Sequence, residues 1–516
     1  MYIVRRVSAS FTGAWPCAPA IRRHYALVII LCAFLALSLA YSLTTPPFEG
    51  TDEQAHFTFV HYLSERHELP PLKKSRPHAE ARHPPLHYVI GAVLTSWIDK
   101  SDFPQLDERR NPYWGTNIGL IGNDNKNQFL HGRWDGLRQS TLALYLLRWY
   151  SMIWGAAAVA ATYAIGRLLF PRQPEMAAGA LAFIAFNPQY LFVSGAMNND
   201  AIVVALVGWG AALMLKGLDS PLSTRRSLAL GVLMGAAMLS KQSGLVLIPL
   251  FLALAAWQLY RRADWRLVAR RAGITLALAV SLGGWWYLRN WLLYGSPTAL
   301  GYMRDLIGAP GNLSWTLPEV IMTEESFWAY FGWNNIPVAP EIYWGMRLVV
   351  FLGLLGLLVF SIRRFARRGD APAEPAWPGL LFLLLWVAVV FVTAANYMLF
   401  APNAFCGRHL FTALPAISIL LFLGLARLLP ARWCGGLALG ANLAMAALSI
   451  ICLAFFLAPA YARPPVLGPE QAATIPHPTE RQYLKQIALL GYGLDAERVR
   501  PGDTLHVTLY WQALAP

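Results

Sequence analysis

The chain alternates long apolar runs with short polar breaks, and the apolar runs set its architecture. The first, from about Tyr25 to Leu43, is long enough to cross a bilayer. Further runs lie near 142–166, 175–195, 200–216, 227–240, 244–260, 272–293, 346–362, 378–399, 410–428 and 434–457. With the first they predict about eleven transmembrane helices, an all-α polytopic membrane fold. A cleaved signal peptide ending near Ser38-Leu39-Ala40 is the rival reading of the first run. Its length and the many spans after it favour an uncleaved, signal-anchor-like helix. The patch Leu86 to Ile98 has about 13 residues, where a span needs about 20. Introduced by His83-Pro84-Pro85, it reads as a helix lying in the membrane interface, with a short or re-entrant span as the alternative.

Composition agrees with this pattern. The 516 residues are 56% hydrophobic and 14% charged, with mean hydropathy +0.41; a soluble chain carries about 25% charged residues. The net charge of +14 does not indicate nucleic acid, because the arginines sit in clusters between apolar runs. They fall at Arg167 and Arg172; Lys216, Arg225 and Arg226; Arg261, Arg262, Arg266, Arg270 and Arg271; Arg363, Arg364, Arg367 and Arg368; and Arg427 and Arg432. The alternate short turns hold only Lys241 and Arg408. With Arg5, Arg6, Arg22 and Arg23 ahead of the first run, the positive-inside rule places the N-terminus in the cytoplasm. If 86–98 spanned, every later loop would swap sides. The five cysteines form no CxxC and suggest neither zinc nor a disulfide framework. No Walker A motif or dinucleotide fingerprint is present.

Two exoplasmic loops follow from this topology, 44–140 and 294–345, within a transmembrane domain of 1–462. The tail 463–516 changes character. Ile487 to Tyr492 reads as a strand, Arg500 to Asp503 as a turn, and Thr504 to Trp511 alternates, with Leu505, Val507, Leu509 and Trp511 on one face. This is the expected start of a β-rich exoplasmic domain, incomplete as it stands, with strands packed on the exoplasmic loops as the alternative.

Chemistry concentrates in Pro46–His61, which packs Glu49, Asp52 and Glu53 beside the first span and adds His56 and His61. Carboxylates there are costly unless solvated or used. A carboxylate of raised pKa suits a base that takes a proton from an acceptor hydroxyl; a solvated acidic loop is the alternative. Asp52 or Glu53 with His56 and His83 would offer a divalent metal its ligands, but the spacing matches no closed zinc pattern. Substrate hydrogen bonding or interfacial packing suits the histidines as well. Asn198-Asn199-Asp200 faces the same side and also reads as a helix N-cap. An intramembrane lysine such as Lys241 costs roughly 2.5–3.5 kcal/mol, and it is tolerated when it snorkels or meets an anion such as a phosphate. Arg289, beside Asn290, and Arg408 share that face, as phosphate ligands or as interfacial anchors. The loop carrying Trp315, Trp328, Trp333 and Trp344 offers rings to a sugar or a prenyl chain, or forms an aromatic belt.

In order and side, Asp52-Glu53, His83-Pro84-Pro85-Leu86, Arg148, Asn187-Pro188, Asn199-Asp200, Ser240-Lys241 and Gly407-Arg408-His409 followed by Leu414-Pro415 resemble the GT-C superfamily of membrane glycosyltransferases. The resemblance is to its protein O-mannosyltransferase and aminoarabinose transferase branch, and it covers most of the membrane region. It implies a polyprenyl-phosphate sugar donor and inverting transfer to an exoplasmic lipid, glycan or protein acceptor at the cell inner membrane. Asp52 would be the base, with Glu53 as partner or alternative, and Asp200 the second acidic position. Lys241, Arg289 and Arg408 would meet the donor phosphate, with His56, His83, Asn199 and Asn290 as further binding residues. Arg82-His83 stand where the aminoarabinose enzymes carry glutamate and lysine, which puts a metal site borrowed from those enzymes in doubt. The rival is a transporter or flippase of lipid-linked sugars; against it, the sequence shows no internal repeat, and its charges cluster on one face.

Overall fold

The computed structural model describes residues 24–72, 81–112, 114, 126–132, 136–307, 315–366, 375–400, 405–463, 466–483 and 485–514. The arginines 5, 6, 22 and 23 of the N-terminal flank, and Arg367 and Arg368, lie outside them. The chain divides into two compact units, 1–461 and 462–516.

All of the apolar runs form helices. Among the described residues, eight are long and apolar enough to cross a membrane, from Tyr25–Thr44 to Ala431–Ala460. The run at 175–195 is not one straight helix. It is Pro174–Ala185 and Pro188–Ser194, bent by 67°, because Pro188 has no N–H to continue the ladder and disfavours helix at Asn187. The Asn187 side chain caps the second piece, accepting from the Tyr190 N–H at 2.9 Å. Counted as one span, the bent pair makes nine. The remaining two runs are the helices Asp200–Leu215, of 16 residues, and Thr224–Ser240, of 17. The count of eleven therefore depends on three short or broken segments. The patch after His83-Pro84-Pro85 is the helix Leu86–Leu94, nine residues long. At 1.5 Å per residue it is far too short to span. It buries His87, Tyr88 and Gly91 and exposes Val89, Val93 and Leu94.

Glycine sets one close crossing. A Cβ at Gly356 would collide with the backbone of Gly424, so Pro340–Ala366 and Leu414–Arg427 meet there backbone to backbone. The 294–345 loop folds into the helices Leu300–Ile307 and Leu317–Trp328 and a hairpin pairing Tyr330–Phe331 with Ile336–Pro337. Its densest aromatic stretch is core, with Phe327, Trp328, Tyr330 and Phe331 all buried. In the second unit three antiparallel strands, His477–Tyr483, Ile487–Leu494 and Val507–Ala513, form one sheet in that order. The first of them has no apolar alternation and does not show in the sequence pattern.

The segment 42–53 is held by a buried ion pair. Arg148, in Gln139–Leu169, gives its Nε to Glu53 Oε1 at 2.7 Å and its Nη2 to Glu53 Oε2 at 2.5 Å. It also donates to the carbonyls of Ser42, Thr45 and Pro46. Glu53 accepts from the N–H groups of Phe48 and Met197 as well. Glu49 is buried in a second such role, accepting from the N–H groups of Gln128 and Phe129 and facing His131. Replacing Arg148 with Met would strand the Glu53 charge, at a cost of roughly 3–5 kcal/mol, read as a lower unfolding temperature in detergent. The double variant Glu53→Gln/Arg148→Met should be less unstable than Arg148→Met. Equal instability would mean that the charge pair is not what holds the segment.

Candidate active site

Helix ends bring the charged residues to one place. Asp52 closes the loop after the first span, immediately ahead of the helix Glu53–Arg66, with left-handed backbone at φ 60°. That conformation is uncommon for a residue with a side chain, though Asp tolerates it better than most. Asp200 opens its helix, and Lys241 ends Thr224–Ser240 in extended conformation. Arg408 stands at the start of the 3-10 turn Gly407–Ala413. A Cβ at Gly407 would strike the backbone of Thr323 and Phe327, and the Gly407 N–H bonds Ser326 Oγ at 2.8 Å. The glycine is what lets this turn lie against Leu317–Trp328 with Arg408 facing the site.

These groups form a charge network. Arg408 Nη2 pairs with Asp52 Oδ2, and Arg408 Nη1 lies 3.9 Å from Asp200 Oδ2. Lys241 Nζ donates to Asp200 Oδ1 at 2.5 Å. The Asp52 side chain is 29% exposed and that of Asp200 5%. Beside them Asn199 Nδ2 donates to the Ser240 carbonyl at 3.1 Å and approaches His83 Nδ1 and the Tyr88 hydroxyl, both at 3.4 Å. Tyr88 meets His56 Nδ1 at 2.7 Å. Asn198 Oδ1 accepts from the Asp200 N–H at 2.8 Å. Asn198 lies one residue ahead of the N-cap, Asn199, whose own side chain makes no capping bond, and the Asp200 carboxylate faces the two cations.

A cavity of about 420 Å³ opens onto the network, within the usual range for a small-molecule site. Its polar end has Asp52, His56, His83, Lys241 and Arg408; its apolar wall has Leu245, Val246, Pro249, Val389, Val390 and Ala394. The arrangement joins a carboxylate, cations and a greasy wall in one chamber.

Other sequence candidates lie elsewhere. Both Glu53 oxygens are taken by Arg148 and backbone N–H groups, and Glu53 does not line the cavity. Arg289 stacks over Trp286, 4.9 Å from the ring centre, and donates to Asn290. Asn290 bonds the Pro297 carbonyl at 3.3 Å. Neither lines the cavity; Asn290 supports the loop whose next residue, Thr298, does. None of Trp315, Trp328, Trp333 and Trp344 lines it. Among the described residues no three His, Cys, Asp or Glu side chains group as a metal site. The sequence candidates omitted Arg82, Gln242, Thr393, Asn396 and Tyr397, all of which line the cavity. The last three had a signal, since a polar stripe at i, i+3, i+4 in an apolar span marks a face turned inward.

A family profile described as dolichyl-phosphate-mannose-protein mannosyltransferase matches residues 143–287. The match bears out the sequence resemblance over that stretch, which includes Asn199, Asp200 and Lys241. No curated protein matches the chain by sequence. Among solved structures it is similar to ArnT from Cupriavidus metallidurans in the apo state, with 15% identity, TM-score 0.47, and 82% of this chain and 63% of that one covered. ArnT from the same organism bound to undecaprenyl phosphate gives 14%, 0.46, 85% and 74%. The archaeal oligosaccharyltransferase AglB from Archaeoglobus fulgidus, in complex with an inhibitory peptide and a dolichol-phosphate, gives 15%, 0.48, 88% and 58%. The chain thus spans 63% of the length of apo ArnT and 58% of AglB.

Behind the site, His87 is fully buried, and neither ring nitrogen has a hydrogen-bond partner among the described residues. Burial, helped by the nearby His56, pushes its pKa down to about 3. The unfolded chain, with a histidine pKa near 6.5, binds this proton where the folded chain does not. Its contribution therefore lowers stability as pH falls from about 6.5 toward 3, by up to about 1.4 kcal/mol per pH unit. His87→Leu should flatten that part of the stability-against-pH curve measured by thermal unfolding in detergent; an unchanged slope would refute the assignment.

Proposed function

We propose that this chain is an inverting GT-C-type glycosyltransferase that moves a sugar from a polyprenyl-phosphate carrier to an exoplasmic acceptor at the cell inner membrane. The observation that carries the reading is the convergence of Asp52, Lys241 and Arg408, from three separate helix ends, on one cavity with an apolar wall, with Asp200 behind them, paired to both cations and outside the lining. An amphipathic donor asks for that combination. Its phosphate meets Lys241 and Arg408, and its prenyl chain lies along the wall between Leu245–Pro249 and Val389–Ala394. The matched profile's description names a dolichyl-phosphate sugar, which supports a donor of this chemistry.

In this mechanism the acceptor hydroxyl approaches Asp52. The hydroxyl oxygen bonds the anomeric carbon as the carbon–oxygen bond to phosphate breaks. The proton passes to the Asp52 carboxylate, and the phosphate leaves with the bonding pair, its charge held by Lys241 and Arg408. A single displacement inverts the anomeric centre. Glu53 acts by fixing Asp52's place in the chain. The basic loops at the opposite helix ends support an exoplasmic site and a cytoplasmic N-terminus.

Asp52→Asn in native membranes supplied with a polyprenyl-phosphate hexose should lower transfer by about 10²–10⁴-fold, the usual worth of a general base, with the protein still folded and inserted. Unimpaired transfer would remove Asp52 as the base. Movement of labelled lipid across the bilayer with no glycosylated product would favour a flippase.

A further inference from the structure

The helix Trp377–Phe400 contributes six residues to the cavity, and their character changes along it. Val389, Val390 and Ala394 are apolar, whereas Thr393, Asn396 and Tyr397 are polar. Val389, Thr393 and Asn396 follow one another a turn apart, so at 1.5 Å per residue they climb about 10 Å from the greasy wall to the polar end. That end lies beside Arg408. The Tyr397 ring centre is 5.0 Å from that of His409, and the helix packs against both Gln242–Val246 and Gly407–Ala413.

The three polar residues differ in what they have left to offer. Thr393 Oγ1 donates back to the carbonyls of Val389 and Val390, at 2.9 and 3.0 Å. The Tyr397 hydroxyl accepts from Arg82 Nη2 at 3.3 Å. Asn396 is exposed, and its amide makes no hydrogen bond among the described residues. A bare amide is out of place in a span this apolar unless water or a ligand meets it. An amide offers both donor and acceptor, which suits two adjacent hydroxyls of a sugar ring. Building on the glycosyltransferase reading, we propose that Asn396 selects the donor's sugar, holding a vicinal diol of a neutral hexose while the phosphate lies on Lys241 and Arg408. Charge sharpens the choice. Arg82, Lys241 and Arg408 line the cavity, and among the described residues Asp52, paired with Arg408, is the one carboxylate that does. An ammonium group on the sugar would join these cations with no carboxylate of its own, so the cavity refuses an amino sugar. Asn396, uncharged, matches a hydroxylated one.

The test measures equilibrium binding in detergent, beside transfer in membranes, for wild type, Asn396→Ala and Asn396→Asp, each checked for folding by size exclusion. The probes are polyprenyl-phosphate mannose and glucose, their mono-deoxy analogues, a 4-amino-4-deoxy analogue and sugar-free polyprenyl phosphate. Wild type should bind one of the hexose donors about tenfold or more tighter than its weakest deoxy analogue, and tighter than the amino analogue, because a site that bonds a hydroxyl rejects the ligand lacking it. Asn396→Ala should lose the discrimination among deoxy analogues and bind sugar-free polyprenyl phosphate as before. Asn396→Asp, which adds a carboxylate, should bind the amino analogue more tightly than wild type does. An Asn396→Ala variant that binds the sugar-free lipid and the hexose donors equally more weakly would overturn the proposal, since Asn396 would then serve the phosphate. Unchanged discrimination in Asn396→Ala would overturn it too, as the result expected of an amide that is only hydrated. Discrimination that depends on Asn396 in a protein that transfers no sugar would instead sink the glycosyltransferase reading and leave the sugar subsite standing.

Discussion

The Glu53–Arg148 pair is the contact on which the rest of the site depends. Two charges buried together are tolerated only when every donor and acceptor is used, and here the use is nearly complete. Arg148 gives two bonds to the carboxylate and three to carbonyls between Ser42 and Pro46. Glu53 receives two further N–H groups, one from Met197, in the turn that leads to Asp200. A single ion pair thus ties the exit of the first span, the start of the Glu53–Arg66 helix and the approach to Asp200 to one point. Asp52 is the residue immediately before Glu53, so its backbone inherits that rigidity, including its left-handed φ.

Rigid placement of Asp52 is what allows a shared cation. Arg408 arrives from a turn more than 350 residues further along the chain, seated by Gly407 against Leu317–Trp328. Lys241 arrives from a third helix end. None of the three cationic or acidic partners is set by its neighbours in sequence; each is delivered by a helix terminus, where the ladder leaves polar groups to be satisfied and the chain turns. Burial then raises the stakes. Asp200, almost wholly enclosed, must be met by cations, and its two oxygens draw Lys241 and Arg408 to the same side of the cavity.

The spans, the non-spanning helix after His83-Pro84-Pro85 and the last two strands were legible because each rests on local periodicity or length. So were Asp52, Asp200, Lys241 and Arg408, since a charge beside an apolar run is anomalous wherever it falls. The division of labour between Asp52 and Glu53 was not legible. Adjacent acidic residues look alike in sequence, and what separates them is Arg148, a contact 95 residues away. Arg289 failed for a related reason. It has the charge that a phosphate ligand needs, but tertiary packing turns it onto Trp286. The aromatic run Phe327–Trp333 reads by composition as rings for a sugar or a prenyl chain, or as an aromatic belt, yet the backbone groups of this stretch accept from Asn187 and donate to Gln189, and the rings of Phe327, Trp328, Tyr330 and Phe331 are buried in the core.

The cavity itself argues against a purely structural role for these charges. A network meant only to hold helices together would be most stable sealed from water, as Glu53–Arg148 is. This one is left open on the side of Asp52 and faces an apolar wall contributed by different helices. Opening a charged cluster toward a greasy surface wastes solvation on one side and apolar burial on the other, unless a molecule with a polar head and an apolar body completes both. The two networks lie a residue apart in sequence, at Asp52 and Glu53. Their contrast is between a sealed pair that holds the segment 42–53 and a part-exposed one that faces the cavity.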